Sequence, residues 1–286
     1  MMAEKVMKTK EHIIRQDYSR LDVPAVLGRL FCPRREERGT TPDGCVDLEL
    51  EVEEGISVGA RLHLAEELTG PNILLFHGNG ETVSDYDQVG PFFRQLGISL
   101  LVVDYRGYGW SGGIPTATNL VRDCYPVFDR LREFLMAAER TGPLAVMGRS
   151  LGSVCALELA AFRPGDFAGL IIESGLAWTV PFLENLGVDT AALGLTEDAG
   201  FGNLLKIKTY LKPVLIIHAM NDELIPLSHA GELQAECPAQ ARELQMVPGA
   251  GHNDIMDKTG KMYFEVLKGF VGRMGRPPRR KKPGVR

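Results

Sequence analysis

The sequence predicts an α/β fold: a mostly parallel sheet with helices on both faces and a short cap at one edge. Three observations carry this. Short apolar runs without alternation occur at residues 73–76, 98–103, 144–147, 170–172 and 214–217, with a weaker one at 244–247. Strands that are covered on both faces have this composition, because neither face meets water. Patterns of helical period lie between several of these runs, and strand–helix alternation builds a parallel sheet with helices on each side. Ahead of them stands a stretch of period two, which marks an antiparallel hairpin at the start of the sheet.

Each element follows in order. Residues 1–20 form a polar lead-in of helical character, and Arg34-Arg35-Glu36-Glu37-Arg38 is a charged connection. Val46, Leu48, Leu50 and Val52 alternate with Asp47, Glu49 and Glu51; the alternation resumes after Glu53-Glu54-Gly55 with Ile56, Val58, Ala60, Leu62 and Leu64. Two such strands about a glycine turn predict a hairpin with one wet face. Between 120 and 135, Leu120, Cys124, Val127, Phe128, Leu131, Phe134 and Leu135 recur at helical spacing. Pro126 lies inside that pattern and predicts a kink or a late start.

No strand pattern occurs between 172 and 214, where Trp178, Phe182, Leu183, Leu186, Leu193 and Phe201 stand among small and polar residues. This segment, about 174–212, reads as a cap over the carboxyl edge of the sheet, where open α/β folds bind ligands. Trp178, Phe182 and Leu186 are then candidates to line a substrate pocket; an ordinary packing role explains the same residues. The chain thus divides into a lead-in over 1–44, an α/β domain over 45–274 and a basic, Pro-rich tail over 275–286 read as disordered and solvated.

Composition narrows the function. A length of 286 residues suits one α/β domain. A net charge of -5 argues against a general nucleic-acid binder, which needs a broad basic surface. The five cysteines are scattered and never in a CxxC spacing, which suits a reducing compartment and argues against a zinc site. Residues 1–16 contain no apolar signal-peptide core, and no run approaches the roughly 18 apolar residues of a membrane span. The expected location is cytoplasmic, with no integral membrane segment, metal or organic cofactor. The oligomeric state is open.

The chemistry centres on Gly148-Arg149-Ser150-Leu151-Gly152. A strand pattern precedes this pentapeptide and a small-residue helix over 153–162 follows it, which is the context a GxSxG nucleophile turn requires. The glycines let strand and helix approach closely, so that the Ser150 hydroxyl stands exposed at the strand end. A serine hydroxyl is a weak nucleophile and needs a base, and the base needs an acid to orient it.

Of the six histidines, only His229 and His252 follow a plausible acid after Ser150. His252 sits in the glycine-rich stretch Pro248-Gly249-Ala250-Gly251-His252-Asn253-Asp254 after the last strand, where a base can project over the sheet. His229 opens a helix pattern and reads as a surface residue. The acid should close an earlier strand, and Asp222 lies at the turn after 214–219. Glu223 and Asp254 compete for the role, Asp254 from a position too local to orient the ring easily.

Two further loops belong to the same edge. His77-Gly78-Asn79-Gly80 follows the strand over 73–76, and its glycines permit a backbone amide to face a reacting carbonyl. The expected oxyanion donors are the amides of Asn79 and Leu151. His77 reads as the holder of that loop, and His63 and His218 as satisfied histidines of strands. In the stretch from Asp104 to Gly113, the aromatic side chains are placed to brace the oxyanion loop, and Arg106 is placed to pair with Asp104. Glu173 and Arg149 stand at the rim, where they fix loops or touch a polar substrate.

Together HGNG at 77–80, DYRGYGWSGG at 104–113, GRSLGS at 148–153, HAMNDELIP at 218–226 and GAGHND at 249–254 resemble the α/β-hydrolase fold superfamily of serine hydrolases. More narrowly they resemble the subgroup that includes the protein depalmitoylases and esterase-like bacterial proteins. The resemblance implies an eight-stranded, mostly parallel sheet with the hairpin at its start. It also places nucleophile, acid and base on Ser150, Asp222 and His252, the residues already reached from chemistry. The membrane-anchored depalmitoylases carry an N-terminal cysteine cluster, whereas this chain has only Cys32 in its first forty residues. The expected activity is cleavage of a carboxylic ester or thioester on a small-molecule or acyl-ester substrate. An acylaminoacyl-type peptidase and a catalytically silent binding scaffold are the alternatives.

Overall fold

The computed structural model describes residues 17–274. Eight strands form one sheet in the order β1-β2-β4-β3-β5-β6-β7-β8. They are β1 (Cys45–Glu53), β2 (Ile56–His63), β3 (Asn72–Phe76), β4 (Ser99–Val103), β5 (Leu144–Arg149), β6 (Gly169–Glu173), β7 (Val214–Ala219) and β8 (Arg242–Val247). The hairpin β1–β2 is antiparallel, and β2 joins β4 antiparallel. From β4 to β8 every pairing is parallel. The expected architecture is therefore present, and the weak run near 244 is a full strand.

The strands were legible as unbroken apolar runs because the sheet separates two cores. Leu74, Phe76, Val146, Leu170, Ile172 and Ile216 point into one, while Ile73, Leu75, Ala145, Met147, Ile171 and Leu215 point into the other. Alternate residues of one strand feed opposite cores, so both sets are apolar. Helices α3 (Ala117–Ala137) and α4 (Ser153–Phe162) cover the first face; α2 (Gly90–Gln95) and α9 (Lys261–Val271) cover the second.

Three elements depart from the sequence reading. The hairpin is not wet along a whole face: on β2, Gly59, Arg61 and His63 are buried. The Arg61 guanidinium bonds both oxygens of Asp47 at 2.7 and 2.8 Å and Asp87 at 2.7 Å, so paired charges replace water there. Helix α3 does not start late; it begins at Ala117, where the Thr116 hydroxyl accepts from the Asn119 amide, and runs through Pro126. The lead-in is also more than a polar approach. Its helix α1 (Pro24–Leu30) and the residues around it bury Leu21, Val26, Leu30 and Phe31 in the main core. The readings of 1–16 and of the tail lie outside the described residues.

Helix α4 has apolar residues on all sides and is buried from Ser153 to Ala161, as a helix inside a core must be. Its one charge, Glu158, lies 2.8 Å from Lys206 of α6 (Asn203–Ile207) and accepts the Tyr125 hydroxyl at 2.6 Å. The Lys206 ammonium also reaches the Tyr18 hydroxyl at 3.2 Å. This buried pair ties the helix behind position 150 to α3, α6 and the lead-in. Loss of one member of such a pair costs about 3–5 kcal/mol, because the other charge is left alone in the core.

Among the described residues, no helix is long and apolar enough to cross a membrane. The segment between β6 and β7 has no strand. It carries α5 (Thr179–Asn185), a short 3-10 turn over Glu197–Ala199, and α6.

Candidate active site

The sheet register gathers the site. Phe76 pairs with Gly148, Arg149 with Glu173, Glu173 with Ile217, and Ala219 with Val247. The loops after β3, β5, β6, β7 and β8 therefore emerge side by side at the carboxyl edge, although their residues span positions 77 to 254.

Ser150 follows β5 directly, with φ of 50°, in the left-handed region that non-glycine residues rarely occupy. The turn is held by close approach. A Cβ on Gly148 would lie 2.4 Å from the Gly152 carbonyl oxygen, and one on Gly152 would lie 2.0 Å from the Phe76 carbonyl oxygen. Glycine at 148 and 152 thus lets α4 start against the end of β3.

The three side chains predicted from sequence meet. The Ser150 hydroxyl donates to His252 Nε2 at 2.8 Å. On the other side of the ring, His252 Nδ1 donates to Asp222 at 2.8 and 2.9 Å. All three residues are buried. Asp222 also accepts from the Leu224 and Ile225 amides at 3.1 and 2.7 Å, which fixes its carboxylate plane. Burial pushes this carboxyl up, but His252 and the Ile225 amide outweigh it and hold it below the usual carboxylate range. An ionised Asp222 accepts the hydrogen bond from the proton on Nδ1 and leaves the Nε2 lone pair facing the hydroxyl.

The competing acids have other partners. Glu223 accepts from the His252 amide at 3.2 Å, and Asp254 accepts from the Gly251 amide at 2.7 Å. Both shape the loop that carries His252, while neither reaches its ring.

The loop over 77–80, the candidate oxyanion loop, is braced by the neighbouring aromatics. The Asn79 side-chain oxygen accepts from the Tyr108 hydroxyl at 2.6 Å and from the Cys32 amide at 2.7 Å. The Tyr105 hydroxyl donates to the His77 carbonyl at 2.6 Å. His77 holds the loop: Nδ1 meets the Gly78 carbonyl at 2.8 Å and Nε2 meets Asp104 at 3.1 Å. Burial alone would discharge this ring, but Asp104 outweighs it and raises its pKa.

Asp104 is thereby taken, and Arg106 does not pair with it. The Arg106 guanidinium bonds Asp123 of α3 at 2.5 and 2.9 Å and approaches Glu53 at 2.8 Å. Asp123 lies seventeen positions away on a helix, and only the packing of α3 reveals it.

His229 is a second correction. It does open a helix, α7 (Ser228–Glu236), but its ring is buried and accepts from the Ala177 amide at 3.0 Å. His218 is buried as expected, with Nε2 on the Ile225 carbonyl at 2.7 Å, though Nδ1 has no protein partner. His63 is likewise buried, with Nδ1 3.0 Å from the Cys45 thiol and Nε2 unsatisfied.

Burial brings His63 and His229 down to about 4 from an ordinary value of 6.5. Both are neutral in the fold and charge more readily in the unfolded chain. Stability is therefore complete above pH 6.5 and lost as pH falls toward 4, by about 3 kcal/mol for each ring. Urea unfolding at pH 7 and pH 4.5 should show this loss, and His229→Gln should remove about half of the share that these two rings contribute.

Of the cap residues, Phe182 is buried in the main core, Leu186 packs against that core half-buried, and Trp178 is 37% exposed at the start of α5. Glu81, Asn253 and Tyr86 were not singled out from sequence, yet they surround Arg149. Glu81 stands three residues after Gly78 and accepts its amide at 2.8 Å, a local spacing that offers the one sequence signal for it. Among the described residues, no group of three or more His, Cys, Asp or Glu side chains is arranged to hold a metal.

The eight-stranded sheet, the strained serine turn after β5 and the hydrogen-bonded line from Ser150 to Asp222 define an α/β-hydrolase fold. Comparison with known proteins agrees. A family model described as serine aminopeptidase, S33, matches residues 70–191. The chain is 33% identical over 208 residues to the alpha/beta hydrolase domain-containing protein aho-3 of Caenorhabditis elegans, covering 70% of this chain and 57% of that protein. It is 34% identical over 206 residues to human alpha/beta hydrolase domain-containing protein 17B, covering 70% and 65%. Among solved structures, an esterase of Pyrococcus furiosus superposes with a TM-score of 0.68 at 16% identity, covering 85% of this chain and 98% of the esterase. A monoglyceride lipase of Saccharomyces cerevisiae gives a TM-score of 0.66 at 19% identity, covering 82% and 96%. The chain has the α/β-hydrolase fold and is similar in sequence to these alpha/beta hydrolase domain-containing proteins. It spans 57–65% of the length of the two curated relatives named here.

Proposed function

We propose that the chain is a serine hydrolase that cleaves a carboxylic ester or thioester through an acyl-enzyme. The observation that carries this is the line Ser150–His252–Asp222, with 2.8 Å from hydroxyl to Nε2 and 2.8 Å from Nδ1 to carboxylate. Ser150 Oγ attacks the carbonyl carbon while its proton passes to His252 Nε2. Asp222 stabilises the imidazolium that forms and fixes the ring. The Asn79 and Leu151 amides stabilise the tetrahedral oxyanion, each by about 3 kcal/mol when preorganised. His252 then protonates the departing alkoxide or thiolate as the carbonyl re-forms. Water gives its proton to the same nitrogen, adds to the acyl carbon, and the acid leaves as Ser150 regains its proton.

The acyl portion is assigned to the cap side, where Trp178 is exposed and Leu186 half-buried. Phe182 supports that wall from the core. A peptidase reading is favoured by one observation, the family model described as a serine aminopeptidase. The same triad attacks amides, so the substrate decides between the two.

A fluorophosphonate probe should label the folded protein, and the label should map to Ser150. A panel of p-nitrophenyl esters and acyl-thioesters of increasing length, with an aminoacyl anilide included, should show ester or thioester turnover well above the anilide. Preference for the anilide would replace the esterase reading, and absence of labelling would favour a binding scaffold.

A further inference from the structure

Arg149, the residue immediately before the nucleophile, stands where three loops of the site meet. Its guanidinium pairs with Glu81, whose other oxygen accepts the Gly78 amide at 2.8 Å and the Tyr86 hydroxyl at 2.8 Å. It lies 3.2 Å from Glu173 at the end of β6, and the second oxygen of Glu173 accepts from Tyr263 of α9 at 2.5 Å. Its third edge donates to Asn253 Oδ1 at 3.0 Å and to the carbonyl of His252 itself at 3.3 Å. The side chain is largely buried, 12% exposed, against 23% for Glu81 and 5% for Glu173.

A planar fork with five donors can bind three separate acceptor groups in one plane and hold their relative positions, which an ammonium cannot do. Here those groups belong to the oxyanion loop, to β6 and to the base loop. We infer that Arg149 is a positioning residue: with Glu81 it locks the His77–Gly80 oxyanion loop to the loop carrying His252, so that oxyanion donors and base keep one geometry about Ser150. This inference rests on the serine-hydrolase reading above. Arg149 touches no reacting atom in this scheme. Its effect passes through the Gly78 amide on one side and the His252 carbonyl on the other. Displacements on the order of 1 Å at a reacting centre cost about 100-fold in rate.

Removing the arginine alone would strand the buried Glu173 and the partly buried Glu81 and endanger the fold. The decisive variant therefore neutralises all three and is balanced only in leaving no member of the cluster charged: Glu81→Gln, Arg149→Met and Glu173→Gln together. It leaves no unpaired buried charge, and its fold is checked by circular dichroism and by hydrogen exchange of amides in β5 and β7. Arg149→Lys is the companion, since it keeps the charge and loses the fork.

With a short p-nitrophenyl ester, the balanced variant should lose about 30- to 100-fold in kcat while KM stays within about threefold. Arg149→Lys should fall between it and the wild type. In the balanced variant the Gly78 and 251–253 amides should exchange at least tenfold faster while β5 and β7 keep their protection. A balanced variant with wild-type kcat, or with unchanged exchange at both loops, overturns the inference, because the network would then serve stability alone. A KM rise with unchanged kcat also overturns it. Failure of the underlying reading looks different: wild-type turnover would survive Ser150→Ala. The exchange measurement still decides whether Arg149 couples the two loops in that case.

Discussion

Ser150→Ala is expected to lower turnover of short p-nitrophenyl esters by on the order of 10⁶-fold, with the fold preserved. The expectation follows from the geometry. The Ser150 hydroxyl is the group hydrogen-bonded to His252 Nε2, and Asp222 on the far side of the ring has no reacting atom to serve without it. What remains is catalysis by the oxyanion donors and substrate binding, on the order of 10³–10⁴ over water. Stability separates this loss from damage to the turn. Ser150 occupies φ of 50°, a strained conformation that alanine does not relieve and glycine does. Ser150→Gly should therefore be as inactive as Ser150→Ala yet more stable by about 1 kcal/mol in urea unfolding. Wild-type turnover in either variant would remove Ser150 from the mechanism.

Asp222→Asn should reduce kcat by on the order of 10⁴-fold with little change in structure. The carboxylate accepts from His252 Nδ1 and from the Leu224 and Ile225 amides, so every contact here asks for an acceptor. An asparagine can keep its oxygen on the two amides, which turns its amino group toward the ring. That amino group donates, and it forces the proton from Nδ1 to Nε2, where the Ser150 hydroxyl needs a lone pair. Glu223 cannot stand in, since its carboxylate binds the His252 backbone amide at 3.2 Å. Stopped-flow measurement of acyl-enzyme formation would place the loss in the acylation step. A loss below tenfold would mean that another group orients the base.

Much of this site was open to reading along the chain because its signals are local. The serine turn needs glycine at 148 and 152 for steric reasons, and a strand and a small-residue helix flank it. Asp222 and His252 each follow a strand, at the edge where parallel strands present their loops. The errors arose where a polar residue's partner lies far along the sequence. Chain proximity points Arg106 to Asp104, but Asp123 on α3 holds it. His229 has the polar neighbours of a surface helix, but its buried ring is held by the Ala177 amide after β6. Arg61 belonged to a face expected to be wet, until Asp47 and Asp87 closed over it.

The sequence by itself determined the layer architecture, the order of strands and helices, and the residues whose chemistry suits an acyl transfer. Periodicity and glycine sterics act over a few residues, so they survive in a linear reading. Only the tertiary structure decided which charges neutralise one another. The Lys206–Glu158 pair behind the helix after Ser150 and the Glu81–Arg149–Glu173 cluster beside it join partners from 24 to 68 positions apart. Coulomb attraction and desolvation depend on distance through the folded protein rather than along the chain. Identity of the candidate catalytic groups was thus a local property, and the framework that holds them in register was not.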